Sequence, residues 1–293
     1  MASRAKLLRL PGHGKLLVAA DLHGNYRDFL TIAQRFEQLG PDGHLLLLGD
    51  LVHGPYLPPR DWPTDAPPGH PLSGEPYRDE SPAVLLGVQI LSERYPGRVH
   101  VLLGNHEHAH IGGPRTALFA RDEATALEQR IGIEASLHMA SFFRSLPIVA
   151  WAPCGLFFCH AAPAAELIRI DDFENIDYRR YVAPRRTDKP RAHKSYKPGD
   201  FPARLLGQLL WEHVLPPFKA QSVLTRVGAN IAVYGHTIIP TGYQTIGYEQ
   251  LILSSSYGMR DAQKTVLLVD LDEHYLTVES LRPGIELLPL YPR

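Results

Sequence analysis

KLLVAADLHGN, Lys15 to Asn25, decides the fold. Leu16 to Ala20 is apolar throughout and too short for a helix, as a strand buried on both faces of a parallel sheet requires. The run stops at Asp21, and from Asn25 to Leu39 the residues Phe29, Ile32, Ala33 and Phe36 recur at helical spacing. The same unit then returns. Leu45 to Leu48 is a second buried strand ending at Gly49-Asp50. A helix from Pro82 to Tyr95, with Ser81 as candidate cap, leads to a strand from Val99 to Leu103 that ends at Gly104-Asn105. Strand, polar turn and helix in alternation predict an α/β protein.

Beyond these units, Arg115 to Leu146 reads as mostly helical, Ile148–Trp151 and Leu156–Cys159 as a strand pair, and Leu205–Val214 as a helix. Strands are expected at Ile231–Tyr234, Gly242–Ile246, Leu251–Ser254, Thr265–Asp270 and, last, His274–Leu281. Gly54 to Arg78 holds eight prolines and three glycines in 25 residues, which makes 54–78 an insertion loop. Arg179 to Lys197 carries eight basic residues against Asp188 alone, so 179–204 reads as a basic loop. With no repeat and no clean linker, the 293 residues are expected to form one domain, 1–293.

Charge removes several functional classes. With 30 basic and 31 acidic residues the net charge is -1, so no global field gathers nucleic acid or an anionic membrane, and no stable nucleic-acid partner is expected. No apolar run approaches the roughly 18 residues of a membrane helix. Cys154 and Cys159 make neither a disulfide framework nor a metal knuckle, and residues 1–10 lack the pattern of a secretory leader; a reducing, cytoplasmic setting is the expectation.

Fifteen histidines are the conspicuous feature, and several follow strands directly. Five polar clusters stand immediately after five predicted strands: Asp21-Leu22-His23-Gly24-Asn25, Gly49-Asp50, Gly104-Asn105-His106-Glu107, His160 and Gly235-His236-Thr237. Sites in open α/β sheets form outside the carboxyl ends of strands, so these clusters are expected to converge. Asp21, His23, Asp50, Asn105, His160 and His236 form a mixed oxygen and nitrogen donor set without thiolate, which suits Mn²⁺ first and Fe or Zn²⁺ next. Six donors exceed what one catalytic ion with open positions takes, so two divalent ions are the better count. Asp50 can bridge them at roughly 3.5 to 4 Å. His108, His110, His13 and His44 match no ligand position and read as structural or loop residues.

The order DxHG, GD, GNHE, H, GH resembles the calcineurin-like metallophosphoesterases, and within them the phosphoprotein phosphatase family. Leu205 to Trp211 and Ser254 to Gly258 extend the likeness over nearly the whole chain. The resemblance implies a sandwich of two mixed β-sheets flanked by α-helices. It implies Asp21, His23 and Asp50 around a first metal and Asp50, Asn105, His160 and His236 around a second. It also implies direct attack by a metal-bridging hydroxide, His106 as general acid, and a phosphorylated protein, small phosphate ester or nucleotide as substrate. Asn105 and Tyr257 are expected on the substrate side. Gly235-His236-Thr237-Ile238 lacks the second histidine of the nuclease and diesterase branches, which favours phosphomonoesters.

The sequence departs from the family where GDxVDRG is replaced by Gly49-Asp50-Leu51-Val52-His53-Gly54-Pro55. His53 is expected to stand in for the orienting aspartate, and Arg78, after the insertion, for the arginine that forks the phosphate. A second phosphate arginine falls among Arg179, Arg180, Arg185, Arg186, Arg191 and Arg226. A protein phosphatase is the first reading, a symmetric dinucleoside tetraphosphate hydrolase its rival, and a phosphodiesterase or inactive metal-binding scaffold the remaining alternatives.

Overall fold

A computed structural model describes residues 5–55, 74, 77–116, 122–181 and 201–291. Its first half runs β1 (Leu7–Arg9), β2 (Lys15–Ala19), α1 (Tyr26–Glu37), β3 (Gly43–Leu47), α2 (Ser81–Arg94), β4 (Val99–Val101), the single turn α3 (Asn105–His108), α4 (Glu123–Ile131) and α5 (Ile133–Ser145). Then come β5 (Val149–Ala152), β6 (Leu156–Cys159), α6 (Phe201–Trp211), α7 (Pro217–Val227), β7 (Ile231–Tyr234), β8 (Tyr243–Ile246), β9 (Gln250–Leu253), β10 (Thr265–Asp270) and β11 (Leu287–Pro289).

Two mixed sheets form. One has the order β1-β5-β6-β7-β9-β8 and the other β11-β10-β2-β3-β4. Period-two alternation decides what each strand face meets. In β2, Leu16 and Val18 join Leu46 and Leu267 in a core shared with Phe158, Val233 and Leu251 of the other sheet. Leu17 and Ala19 turn outward, to a second cluster that holds Phe29, Ile32 and Phe36 of α1 and Val84 and Val88 of α2. Both faces are covered, which is why the strands read as unbroken apolar runs.

The topology also sets the site. β2, β3 and β4 are adjacent and parallel, with Val18 opposite Leu46 and Leu46 opposite His100. In the other sheet β6, β7 and β9 are adjacent and parallel. The carboxyl ends of both triplets release the polar clusters at one edge of the sandwich.

Several boundaries differ from the sequence reading. Helix α1 begins at Tyr26, because Asn25 is its cap and accepts from the Asp28 N–H at 3.1 Å. Ser81 does not cap α2; its Oγ accepts from the His53 N–H at 2.9 Å and donates to Asp79. Gly132 divides the long helical region into α4 and α5. The helix expected at Leu205–Val214 starts at Phe201, so 201–204 is helix rather than basic loop, and α7 and β1 had no counterpart in the reading. His274–Leu281 is not a strand. Tyr275, Val278 and Leu281 are buried three residues apart around a 3₁₀ turn, Val278–Ser280, and the sheet is extended instead by β11. His44 lies in β3 rather than a loop, its ring stacked on that of His100. Positions 56–73, 75, 76 and 182–200, which hold most of the two expected loops and Arg185, Arg186 and Arg191, lie outside the described residues.

Candidate metal centre

The strand-end turns are tight enough to force unusual backbone. Among the described residues, the non-glycine positions with left-handed φ are Asp21 (56°), His23 (45°), Asp50 (52°), His53 (66°) and His236 (63°). Each such residue costs of order 1–3 kcal/mol, and strain of this kind persists only where the surroundings over-determine it. Four of them belong to the strand-end clusters, and the fifth, His53, follows Asp50 by three residues. Gly49 (φ 97°) and Gly104 cross so closely that a Cβ on Gly49 would lie 2.6 Å from the Gly104 nitrogen. That contact brings the Asp50 and Asn105 turns together.

Glu107 locks them. It is fully buried, and its Oε2 accepts the N–H groups of Asp50 (2.8 Å) and Gly104 (3.0 Å) while Oε1 accepts those of Leu51 (2.8 Å) and Val52 (3.3 Å). The Asp50 Oδ1 accepts the His106 N–H at 3.0 Å, and Asp21 accepts the His236 N–H on both oxygens, at 3.1 and 3.0 Å. Four distant segments are thereby fixed in two pairs by backbone donors.

The six expected ligands meet here. Asp50 Oδ2 lies 3.4 Å from His23 Nε2 and 3.4 Å from His160 Nε2, so one oxygen stands between the two rings. Asn105 Oδ1 is 2.8 Å from His160 Nε2 and 3.1 Å from His236 Nδ1. The outer ring nitrogens fix the tautomers: His23 Nδ1–H donates to the His53 carbonyl and His160 Nδ1–H to the Leu48 carbonyl, each at 2.9 Å. Neutral rings held this way turn their Nε2 lone pairs toward a carboxylate and an amide oxygen. Acceptors facing acceptors in a buried site need a cation between them, and orienting a ligand histidine through its second nitrogen is what metal sites do. The donor set fits divalent ions.

Protons carry that charge balance when cations do not. Burial pushes Asp21 up to about 7, against the pull of His160. Glu107 goes to about 7, through burial and then the neighbouring Asp50. Burial lowers His160, but the carboxylates of Asp50, Asp21 and Glu107 together outweigh it and leave the ring near 9. His106 is held down to about 3 by burial, with Asp50 acting against it.

His106 and Tyr257 both line a cleft of about 590 Å³ that also exposes Asp21, His23, Asp50, Asn105 and His236. The Tyr257 ring lies 4.5 Å from that of His23, and its backbone N–H donates to the Asp21 carbonyl at 3.0 Å. The opposite wall carries Trp211 and His213, the latter stacked on His236 at 4.9 Å. His53 is buried against His106, Nδ1 to Nδ1 at 2.9 Å.

Arg78 is not brought to this cleft. It is exposed and absent from the lining, whereas its neighbours Tyr77 and Asp79 turn inward, Tyr77 to the His23 carbonyl and Asp79 to the Gly54 N–H. Arg226 is committed to the Leu167 carbonyl, and Arg179 to Asp177. Among the described residues, the arginine that lines the cleft is Arg115, paired loosely with Glu128 (3.4 Å) and Asp122 (3.7 Å). Sequence reasoning missed it, together with Glu123, whose fully buried carboxylate lies 3.6 Å from His106 Nδ1 and 3.7 Å from His53 Nδ1. His110 was read as structural; it bonds His53, Nε2 to Nε2 at 2.9 Å.

Known proteins share this architecture. A protein serine/threonine phosphatase from Saccharomyces cerevisiae superposes with a TM-score of 0.63 at 17% identity, over 91% of this chain and 77% of that one. The cold-active protein-tyrosine phosphatase of a psychrophilic Shewanella species does so with a TM-score of 0.59 at 15% identity, over 92% and 79%. At such identities the likeness is one of fold. The profile of the calcineurin-like phosphoesterases matches residues 14–240, from the start of β2 past His236. Strand-end donors that need cations between them, in this topology and under that profile, place the chain in the calcineurin-like phosphoesterase family of metal-dependent phosphate-ester hydrolases.

Proposed function

We propose that this chain is a dinuclear metal-dependent phosphomonoesterase of the phosphoprotein phosphatase branch, with phosphoserine and phosphothreonine in proteins as its first substrates. One observation carries the reading: a single Asp50 oxygen lies 3.4 Å from both His23 and His160, with Asn105 and His106 on the next turn. Asp21, His23 and Asp50 would hold one cation and Asp50, Asn105, His160 and His236 the other, Mn²⁺ being the first choice and Fe or Zn²⁺ the alternatives. Such ions supply an activated water and neutralise phosphoryl charge.

The chain's own residues do the rest. Ester cleavage leaves negative charge on the departing oxygen, and a proton from His106 relieves it; the negative phosphoryl group and the Glu123 carboxylate 3.6 Å away draw that ring up from its low resting value. A positioned acid of this kind is worth about 10²- to 10⁴-fold. Asn105 and Tyr257 meet the substrate from the metal side. Arg115 reaches the same cleft, and exchanging its half-exposed ion pairs for a phosphate fork costs little, since exposed pairs contribute only about 0–1 kcal/mol. The absence of a histidine two positions after His236 supports monoesters over diesters. The aromatic wall of Trp211 and His213 favours a second reading, a dinucleoside tetraphosphate hydrolase, because a base can stack there.

The test is hydrolysis by the protein loaded separately with Mn²⁺, Zn²⁺ or Mg²⁺. Substrates are p-nitrophenyl phosphate, its bis ester, a panel of phosphoserine, phosphothreonine and phosphotyrosine peptides, and diadenosine tetraphosphate. Phosphopeptide turnover abolished by Asp50→Asn and cut at least a hundredfold by His106→Asn supports the proposal, the second figure being the lower end of a positioned acid's worth, about 10². A strong preference for diadenosine tetraphosphate replaces the substrate, and metal-independent or absent turnover overturns the proposal.

A further inference from the structure

Three rings and a carboxylate run in line from the cleft to the surface of α4. His106 Nδ1 meets His53 Nδ1 at 2.9 Å, His53 Nε2 meets His110 Nε2 at 2.9 Å, and His110 Nδ1 meets Glu128 Oε1 at 2.8 Å. His53, His106 and His110 are buried, and Phe143 packs against His110 at 5.6 Å, so water does not interrupt the line. Glu128 stands at its outer end, where Arg115 shares the same oxygen at 3.4 Å.

Such a chain has a direction. A carboxylate only accepts, so His110 must donate from Nδ1. A neutral His110 is then left to accept at Nε2, which makes His53 donate from Nε2. His53 in turn accepts at Nδ1, and His106 donates from Nδ1. Read along the rings, the acidic group three links away favours the Nδ1–H form of His106, whose Nδ1 is also faced by Thr116 Oγ1 at 3.5 Å. It also fixes the ring plane, so that Nε2 faces the cleft. When His106 carries its second proton, the inner N–H already has its acceptor, and the Glu123 carboxylate lies alongside at 3.6 Å. Buried polar chains of this kind hold one arrangement when every member is satisfied and lose it when one link fails.

We propose that Glu128, acting through His110 and His53, is a positioning residue that sets the tautomer and ring orientation of His106. The proposal rests on His106 being the proton donor of the phosphomonoesterase reading, but the chain itself can be tested without turnover. His110 and Glu128 lie outside the ligand set, and Glu128 is half-exposed, so its substitution leaves the metal centre and the core in place.

The experiment compares wild type with Glu128→Gln and Glu128→Asp. The first readout is the ring ¹⁵N spectrum of histidine-labelled, Zn²⁺-loaded protein. Wild type and Glu128→Asp are expected to give His106 as the Nδ1–H form, while Glu128→Gln, whose amide can donate or accept, gives a mixture. The second is kcat on 2,4-dinitrophenyl, p-nitrophenyl and phenyl phosphate at equal metal content. In Glu128→Gln the loss is expected to grow from under threefold on the first, whose leaving group needs no acid, to about 10- to 100-fold on the last, part of a positioned acid's worth. Glu128→Asp should recover most of the rate; Arg115 shares the Glu128 oxygen, so KM can move in Glu128→Gln, and the leaving-group dependence is the readout that reports on His106. A uniform loss across leaving groups, or an unchanged His106 spectrum in Glu128→Gln, overturns the proposal. If wild type turns over none of the three esters, the phosphomonoesterase reading fails, and the spectrum alone decides the chain.

Discussion

Replacing Glu107 by glutamine should cost the protein about 2–6 kcal/mol, and the figure follows from four hydrogen bonds. In the wild type each carboxylate oxygen accepts two backbone N–H groups, those of Asp50 and Gly104 on one side and of Leu51 and Val52 on the other. An amide keeps the shape but turns one of its two ends from acceptor to donor. Whichever way it flips, two N–H groups face an NH₂ with no room for water, because Glu107 is fully buried. Each orphaned buried donor costs about 1–3 kcal/mol. Set against a total stability of about 5–15 kcal/mol, the loss should lower Tm by roughly 5–20 °C, using the roughly 2–4 °C per kcal/mol of domains near this size. The same turn carries Asp50 at φ 52°, so divalent-metal affinity should fall with it. Thermal and urea unfolding in chelator above pH 8, where the Glu107 carboxyl is ionised, isolates the hydrogen-bond effect, and calorimetric metal titration measures the second. A Glu107→Gln protein that melts within 2 °C of wild type in chelator would refute the reasoning, since the four donors would then have found other partners.

The metal-free protein should lose stability as pH rises from 7 to 9. His160, held near 9 by the carboxylates of Asp50, Asp21 and Glu107 despite burial, binds its proton more tightly in the folded chain than its ordinary 6.5. That contribution is complete below 6.5 and is lost as pH climbs through 9. Asp21 and Glu107, both raised to about 7, act in the same direction at lower pH. Because cations displace these protons, the metal concentration giving half-maximal Tm increase should fall over the same range; a chelated protein whose Tm rises from pH 7 to 9 contradicts this. Arg115→Ala should lower kcat/KM on p-nitrophenyl phosphate by about 10- to 100-fold, the worth of a charged hydrogen bond of about 1.5–3 kcal/mol, while Arg78→Ala stays within threefold. The reverse ranking would return the phosphate fork to Arg78.

The strands that carry the ligands were legible because their burial is two-sided. Leu16–Ala20, Leu45–Leu48 and Ile231–Tyr234 are apolar without interruption, and each ends on a charged or imidazole residue whose chemistry announces itself. What could not be read is whatever depends on two segments meeting at an angle. Glu123 lies 70 residues from His53 and joins it only because α4 packs over the cleft, and an acidic residue opening a helix looks the same whether it caps or serves a site. His110 is two residues beyond α3 and matched no ligand position, yet the turn aims it at His53. Arg78 looked correct by order along the chain, but the flanking Tyr77 and Asp79 take the inward positions and leave it outside. The last strand failed because the burial of Tyr275, Val278 and Leu281 has a period of three rather than two.

Titrating chelator-stripped protein with Mn²⁺ while following both bound metal and p-nitrophenyl phosphate turnover separates a two-cation hydrolase from every other reading. Wild type should bind two equivalents and turn over only as the second binds. Asp50→Asn, which removes the oxygen shared by His23 and His160, should bind fewer than two and remain inactive. Saturation at one equivalent with full activity, or turnover in Asp50→Asn equal to wild type, would contradict the shared-ligand centre.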